Sequence, residues 1–156
     1  MRDKRFVAAH RGGLLSRDHQ RLLIDWACIC TEHLFSLLPG KPDKRITDAL
    51  EIAHLWRKGN TTVGDARKAA VNCITAARES DDRVAIAVFR AAGHAVATAH
   101  MADHSLGPAL YGLKAVRFSG GSVEDERNWQ NSRLPDEIRE LVISARLMKE
   151  KSFGLM

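Results

Sequence analysis

Apolar residues recur along this chain at intervals of three and four, which is the period of an amphipathic helix. The first stripe begins after Ser16, whose hydroxyl can cap a helix N-terminus, and ends at Pro39 and Gly40. Its members are Leu23, Trp26, Ala27, Cys30, Leu34, Leu37 and Leu38. The pattern predicts a long amphipathic helix here.

Two further helices are predicted by the same pattern. A second stripe begins near Asp43 and ends at Gly59, a residue that commonly follows a helix C-terminus. A third begins at Thr62, another capping hydroxyl, and reaches a turn at Ser80. Each predicted helix therefore has a chemical start and stop signal.

The fourth predicted helix is rich in alanine and runs from about Arg83 toward His104, with eight alanines between Ala85 and Ala102. Small side chains on several faces let neighbouring helices approach closely, so we expect this helix to be surrounded. Pro108, which lacks a backbone N–H, is expected to break or kink the chain after it.

The sequence after Pro108 predicts two helical segments, one on each side of a flexible loop. A short helical set passes through Tyr111, residues 119–122 form the loop, and the segment around Trp129 is ambiguous. Pro135 opens a last helix that ends near Lys151. No alternating strand pattern competes, so we expect an all-α fold: a compact multi-helix bundle or array with a central Ala-rich helix, and residues 1–156 as a single helical domain.

Composition agrees with a globular protein of the cytoplasm. Hydrophobic residues make up 45% and charged residues 28% of the chain, and no tract reaches the roughly 18 uncharged apolar residues of a membrane span. The start does not read as a signal peptide. Three cysteines without a pairing pattern predict free thiols in a reducing compartment. We therefore expect a cytoplasmic protein without a membrane partner.

The net charge of +5 is concentrated near the N-terminus. The cations there are Arg2, Lys4, Arg5, Arg11, Arg17 and Arg21. This basic N-terminal segment raises the alternative of a helical nucleic-acid-binding protein. Because aromatic residues are not interleaved with the cations, a stacking platform for single strands is not indicated, and nucleic acid is the less favoured partner.

The candidate chemistry centres on His100 and His104, which would lie one turn apart and face the same way on a helix. That spacing suits a metal ligand pair, and it equally suits two buried rings hydrogen-bonded within a core. Met101 stands where a zinc protease would have its glutamate base, so a metal-dependent enzyme is the less favoured interpretation. We predict no catalytic residue and no cofactor, and assign Trp26, His100, His104 and Tyr111 to the structural core.

A set of scattered positions resembles bacterial immunity proteins of polymorphic toxin systems, and more narrowly the immunity-protein-five-like group. The resemblance runs from residue 3 to about residue 118, and Pro108, His54 and His94 depart from the group's pattern. The positions that carry it are residues 3–8, 10–13, 15–16, 26–27, Cys30, Glu32, His33, 91–93, Ala99, His100, His104, Gly107 and Tyr111. It implies an all-α protein of a toxin–antitoxin pair in bacterial competition, with a cognate toxin as its partner and no catalysis.

The charge of the chain bears on how such a protein would bind. Inhibitors that imitate nucleic acid are acidic, whereas this chain has a calculated pI of 9.4. The target toxin is therefore either acidic or not a nuclease, or else this basic chain still has a local acidic face. The candidates for that face are Asp43, Asp48, Glu51, Asp65, Asp81, Asp82, Glu124, Asp125 and Glu126. Our hypothesis is an immunity protein that neutralises its toxin by stoichiometric binding; self-association stays open.

Overall fold

Seven α-helices joined by short turns form the computed structural model, which describes residues 2–155. The helices are α1 (Arg17–His33), α2 (Lys44–Arg57), α3 (Val63–Glu79), α4 (Arg83–Ala97), α5 (Gly107–Phe118), α6 (Val123–Ser132) and α7 (Asp136–Ser152). Within this described range there is no β-strand, and a single isolated bridge joins Ala8 to Leu15. The predicted all-α class is confirmed.

The helix starts follow the capping signals of the sequence. The Ser16 hydroxyl accepts a hydrogen bond from the His19 N–H, and the Thr62 hydroxyl accepts one from the Asp65 N–H, both at 3.1 Å. Asp43 caps α2 in the same way through the Arg45 N–H. Each such cap satisfies a backbone donor that the helix leaves free and is worth about 1 kcal/mol.

The alanine-rich helix is shorter than predicted. It ends at Ala97, and the chain turns through a 3₁₀ segment, Ala102–Leu106, before α5 begins at Gly107. The carbonyls of Thr98 and Ala99 accept hydrogen bonds from Nε2 of the buried Gln20, at 3.0 and 3.2 Å. Because a side chain from α1 satisfies these carbonyls, the helix can end inside the protein.

This end of α4 corrects the prediction for the two histidines. His100 lies in the turn after α4 and His104 in the 3₁₀ segment, so they do not occupy one helix. Pro108 falls in the first turn of α5, where its missing N–H would have had no intrahelical partner. The chain break predicted near Pro108 therefore starts earlier, and Pro108 itself helps to start the next helix.

The alanine-rich helix α4 is the central element. It packs against α1, α2, α3 and α5, and Ala91, Ala92 and Ala95 are fully buried. One apolar cluster contains residues from each of the helices α1, α2, α3 and α4. A second cluster lies between α1, the start of α5, α7 and the N-terminal segment. The predicted array around an Ala-rich helix is confirmed.

A buried polar network joins α1, α5, α6 and α7. The Trp26 indole N–H donates to the Gln130 carbonyl at 2.9 Å, and the Gln130 side chain donates to the Ala109 carbonyl. The Arg146 guanidinium, 2% exposed, donates to Gln130 Oε1 at 2.7 Å and to Glu150. These bonds hold α6, the segment that the sequence leaves ambiguous. Among residues 2–155, none of the helices has the length and hydrophobicity that a membrane span requires.

Candidate functional site: a basic groove beside three histidines

A groove of about 430 Å³ opens between the exposed face of α3 and the region where α4 meets α5. We call it the basic groove. Its α3 wall carries Arg67, Val71, Ile74 and Arg78, and its opposite wall carries Arg90, His94, His100, His104 and Tyr111. No carboxylate lies among the residues that line it.

The α3 wall is a single stripe of the helix surface. Arg67, Val71, Ile74 and Arg78 are spaced by four, three and four residues, so their side chains lie above one another. The other face of α3 buries small residues such as Ala66, Cys73 and Ala77 against α2 and α4. The stripe therefore presents two apolar side chains between two cations, with Val71 58% and Ile74 43% exposed.

The opposite wall contains a direct contact between two imidazole rings. The Nδ1 atoms of His94 and His104 lie 3.0 Å apart, which requires one to donate and the other to accept a hydrogen bond. Gly107 makes this approach sterically feasible, because a Cβ at its position would lie 2.5 Å from Cβ of His94. His100 lies beside the pair, with its ring centroid 5.7 Å from that of His104.

Burial keeps these histidines neutral. Desolvation, followed by the charge of His104, lowers the pKa of His94 to about 4. Desolvation likewise lowers the pKa of His100 and of His104. Near neutral pH the three rings therefore supply hydrogen-bonding atoms and no charge. The buried Nδ1 of His100 has no hydrogen-bond partner in the described part of the chain.

The positive charge of the basic groove comes from its arginines. Arg67, Arg78 and Arg90 are all exposed, and no described residue forms an ion pair with any of them within 4.0 Å. The Arg90 guanidinium lies 5.9 Å from the centroid of the Tyr111 ring. The groove thus combines uncompensated charge with exposed apolar surface.

A model of the Imm-5 like putative immunity protein family matches residues 13–137. The chain belongs to this family. The match confirms the resemblance found in the sequence, and it includes every residue that lines the basic groove. No curated protein and no solved structure matches the chain.

In this family member, the residues singled out from the sequence lie in different surroundings. Trp26 is 1% exposed in the second apolar cluster. Tyr111, His100 and His104 are half-buried and line the basic groove, and Tyr111 also packs against the first apolar cluster. Among residues 2–155, no group of three or more His, Cys, Asp or Glu side chains is arranged to hold a metal ion.

The basic N-terminal segment is partly neutralised by its own neighbours. Arg2 binds Asp103 at 3.1 Å, Arg5 binds Asp3 at 2.7 Å, and Arg21 lies 3.6 Å from an oxygen of Asp18. Three of its six cations thus already face a carboxylate. The segment therefore has less free charge than the sequence predicts.

Most of the candidate acidic face is also occupied. Asp43 pairs with Arg45, Asp48 pairs with Lys44, and Glu124 pairs with Arg127. Asp82 accepts the N–H groups of Val84 and Ala85 at the start of α4, and Glu126 binds His33. These five candidates of the nine are thus already engaged by partners within the chain.

The sequence analysis did not single out the arginines of the groove. One signal was available, since Val71 and Ile74 interrupt the polar face of α3 between Arg67 and Arg78. Arg90 and His94 join that stripe only because α3 packs against α4, and no spacing in the sequence gives the relative orientation of those two helices.

Proposed function

We propose that this protein is a cytoplasmic immunity protein that neutralises a cognate bacterial toxin by stoichiometric binding. The main support for this proposal is that the family match includes every residue that lines the basic groove. The groove combines unpaired arginines with Tyr111, and the energetic centres of protein interfaces are enriched in arginine and aromatic residues.

The chemistry of the nucleophilic side chains supports inhibition by binding rather than by catalysis. All three cysteines are buried, and desolvation raises the pKa of each thiol, that of Cys73 to about 12. A thiol held neutral is a weak nucleophile. Ring nitrogens of His94 and His104 are committed to each other. A partner held at the surface needs none of these groups to react.

Co-expression with a candidate toxin from a neighbouring gene tests the proposal. We expect the two proteins to co-purify and cells that express both to survive. The matched control is an unrelated helical protein with the same net charge, which should neither bind the toxin nor protect the cells. If the protein neither binds the toxin nor protects the cells, the proposed function is wrong.

A further inference from the structure

Several arginines of this protein already pair with a carboxylate of the chain, whereas the described residues offer no carboxylate partner to those of the basic groove. Arg57 pairs with Asp25, Arg127 with Glu150, and Arg146 with Glu150. Arg67 and Arg78 have no such carboxylate within the described residues. Their charge is thus available to a molecule outside the chain.

The exposed apolar residues between them indicate what kind of molecule fits. Val71 and Ile74 lie in the middle of the α3 stripe, with a cation at each end. A phosphate backbone would satisfy the arginines but would leave both aliphatic side chains uncovered. Single-stranded nucleic acid is bound on exposed aromatic rings, whereas the rings at this groove, those of Tyr111 and the three histidines, are all half-buried.

We infer that the basic groove binds an acidic segment of the toxin, whose carboxylates pair with Arg67, Arg78 and Arg90 and whose apolar side chain covers Val71 and Ile74. This inference rests on the proposed function. Arginine suits the role because its planar guanidinium binds a carboxylate through two parallel hydrogen bonds. The neutral histidines beside it add hydrogen-bonding atoms without repelling the arginines.

The binding constant of the purified toxin, measured by calorimetry, tests the inference. The main variant combines R67E, R78E and R90E. The matched control combines K4E, K41E and K68E, which changes the net charge by the same amount at exposed lysines outside the groove. Lys68 follows Arg67 directly on α3, but it lines a different pocket, between α2 and α3.

We expect the arginine variant to bind the toxin at least about 100-fold more weakly, because like charges would then face each other at the interface. The lysine variant should stay within about threefold of the wild type. A second variant, V71A combined with I74A, keeps the charge and should weaken binding about tenfold. Circular dichroism melts show whether each variant remains folded.

The outcomes separate the two proposals. If the wild type binds the toxin and the arginine variant binds equally well, the groove is not the docking surface, while the proposed function stands. Equal weakening in both triple variants would also overturn the inference, because only overall charge would then matter. If the wild type does not bind the toxin, the proposed function itself fails.

A second titration distinguishes other occupants. Inorganic phosphate and a single-stranded oligonucleotide are each added to the wild type and to the arginine variant. We expect neither to compete with the toxin at physiological salt. Competition by the oligonucleotide on the wild type, together with direct oligonucleotide binding that is lost in the arginine variant, would identify a nucleic-acid groove and overturn the inference.

Discussion

The Nδ1 atoms of His94 and His104 lie 3.0 Å apart where the end of α4 meets the 3₁₀ segment before α5. One ring must keep a lone pair at this atom to accept the other's proton, so two fully protonated rings cannot make the bond. The contact ties the wall of the basic groove to the protonation state of its histidines.

Stability should therefore fall as the pH is lowered. The pKa of His94 is about 4 in the folded protein and higher when the chain unfolds, so the unfolded state binds more protons between these values. The stabilising effect is complete above about pH 6.5 and is lost progressively down to about pH 4. The free energy of unfolding should drop by at most about 1.4 kcal/mol per pH unit for each such histidine.

Urea unfolding between pH 7.5 and pH 4.5 measures this effect. The H94Q variant should show a flatter dependence on pH, because the buried ring nitrogen that resists protonation is gone. H10Q, at an exposed position, is the matched control and should keep the wild-type slope. An unchanged slope in H94Q would show that other groups cause the dependence.

Replacing Gly107 by alanine should destabilise the protein by about 1–3 kcal/mol, because the new methyl group would overlap the His94 side chain. A control is available at Gly40, where an added Cβ meets nothing within 4 Å. G40A should change the free energy of unfolding by less than about 0.5 kcal/mol. Equal effects of the two substitutions would contradict the packing at Gly107.

Arg146 should be the most sensitive charged residue of the fold. The R146A substitution removes one of the two guanidinium partners of the buried Glu150, Arg127 being the other, and leaves Gln130 Oε1 without its donor, so we expect a loss of about 2–4 kcal/mol. K44A breaks the exposed pair with Asp48 and should change the free energy of unfolding far less, because solvent screens that pair. Denaturant titration of both variants compares them, and similar losses would argue against the buried network.

The three thiols should be unreactive in the native protein. Cys28 and Cys30 are 1% and 0% exposed, and burial raises the pKa of both thiols. We expect no modification by iodoacetamide at pH 8 in native buffer and three modified cysteines in guanidinium, as counted by mass spectrometry. Rapid modification of the native protein would mean that α1 is less well packed than described.

How far the sequence predicts this structure depends on whether the signals are local. Ser16 and Thr62 define helix starts by themselves, since the capping bond forms within three residues. The end of α4 depends on Gln20, which is 78 residues away from Thr98 in the chain and satisfies its carbonyl. No periodicity within α4 can reveal that bond, so the helix was predicted to continue to His104.

The basic groove was not predicted for the same reason. Val71 and Ile74 are visible in the sequence as apolar residues on a polar face, but their partners Arg90 and His94 belong to another helix. The helix of Trp129 was ambiguous because its stability comes from tertiary bonds, above all those of Gln130 with Trp26 and Arg146. Such bonds join residues that only the fold brings together.

Titration of the toxin with this protein tests the central claim most directly. The toxin's remaining activity is measured as the ratio of the two proteins is raised. Stoichiometric binding predicts a linear decrease that ends at about one equivalent, with active toxin recovered when the complex is dissociated. Complete loss of activity at a small fraction of an equivalent, with chemically altered toxin, would contradict it and indicate an enzyme.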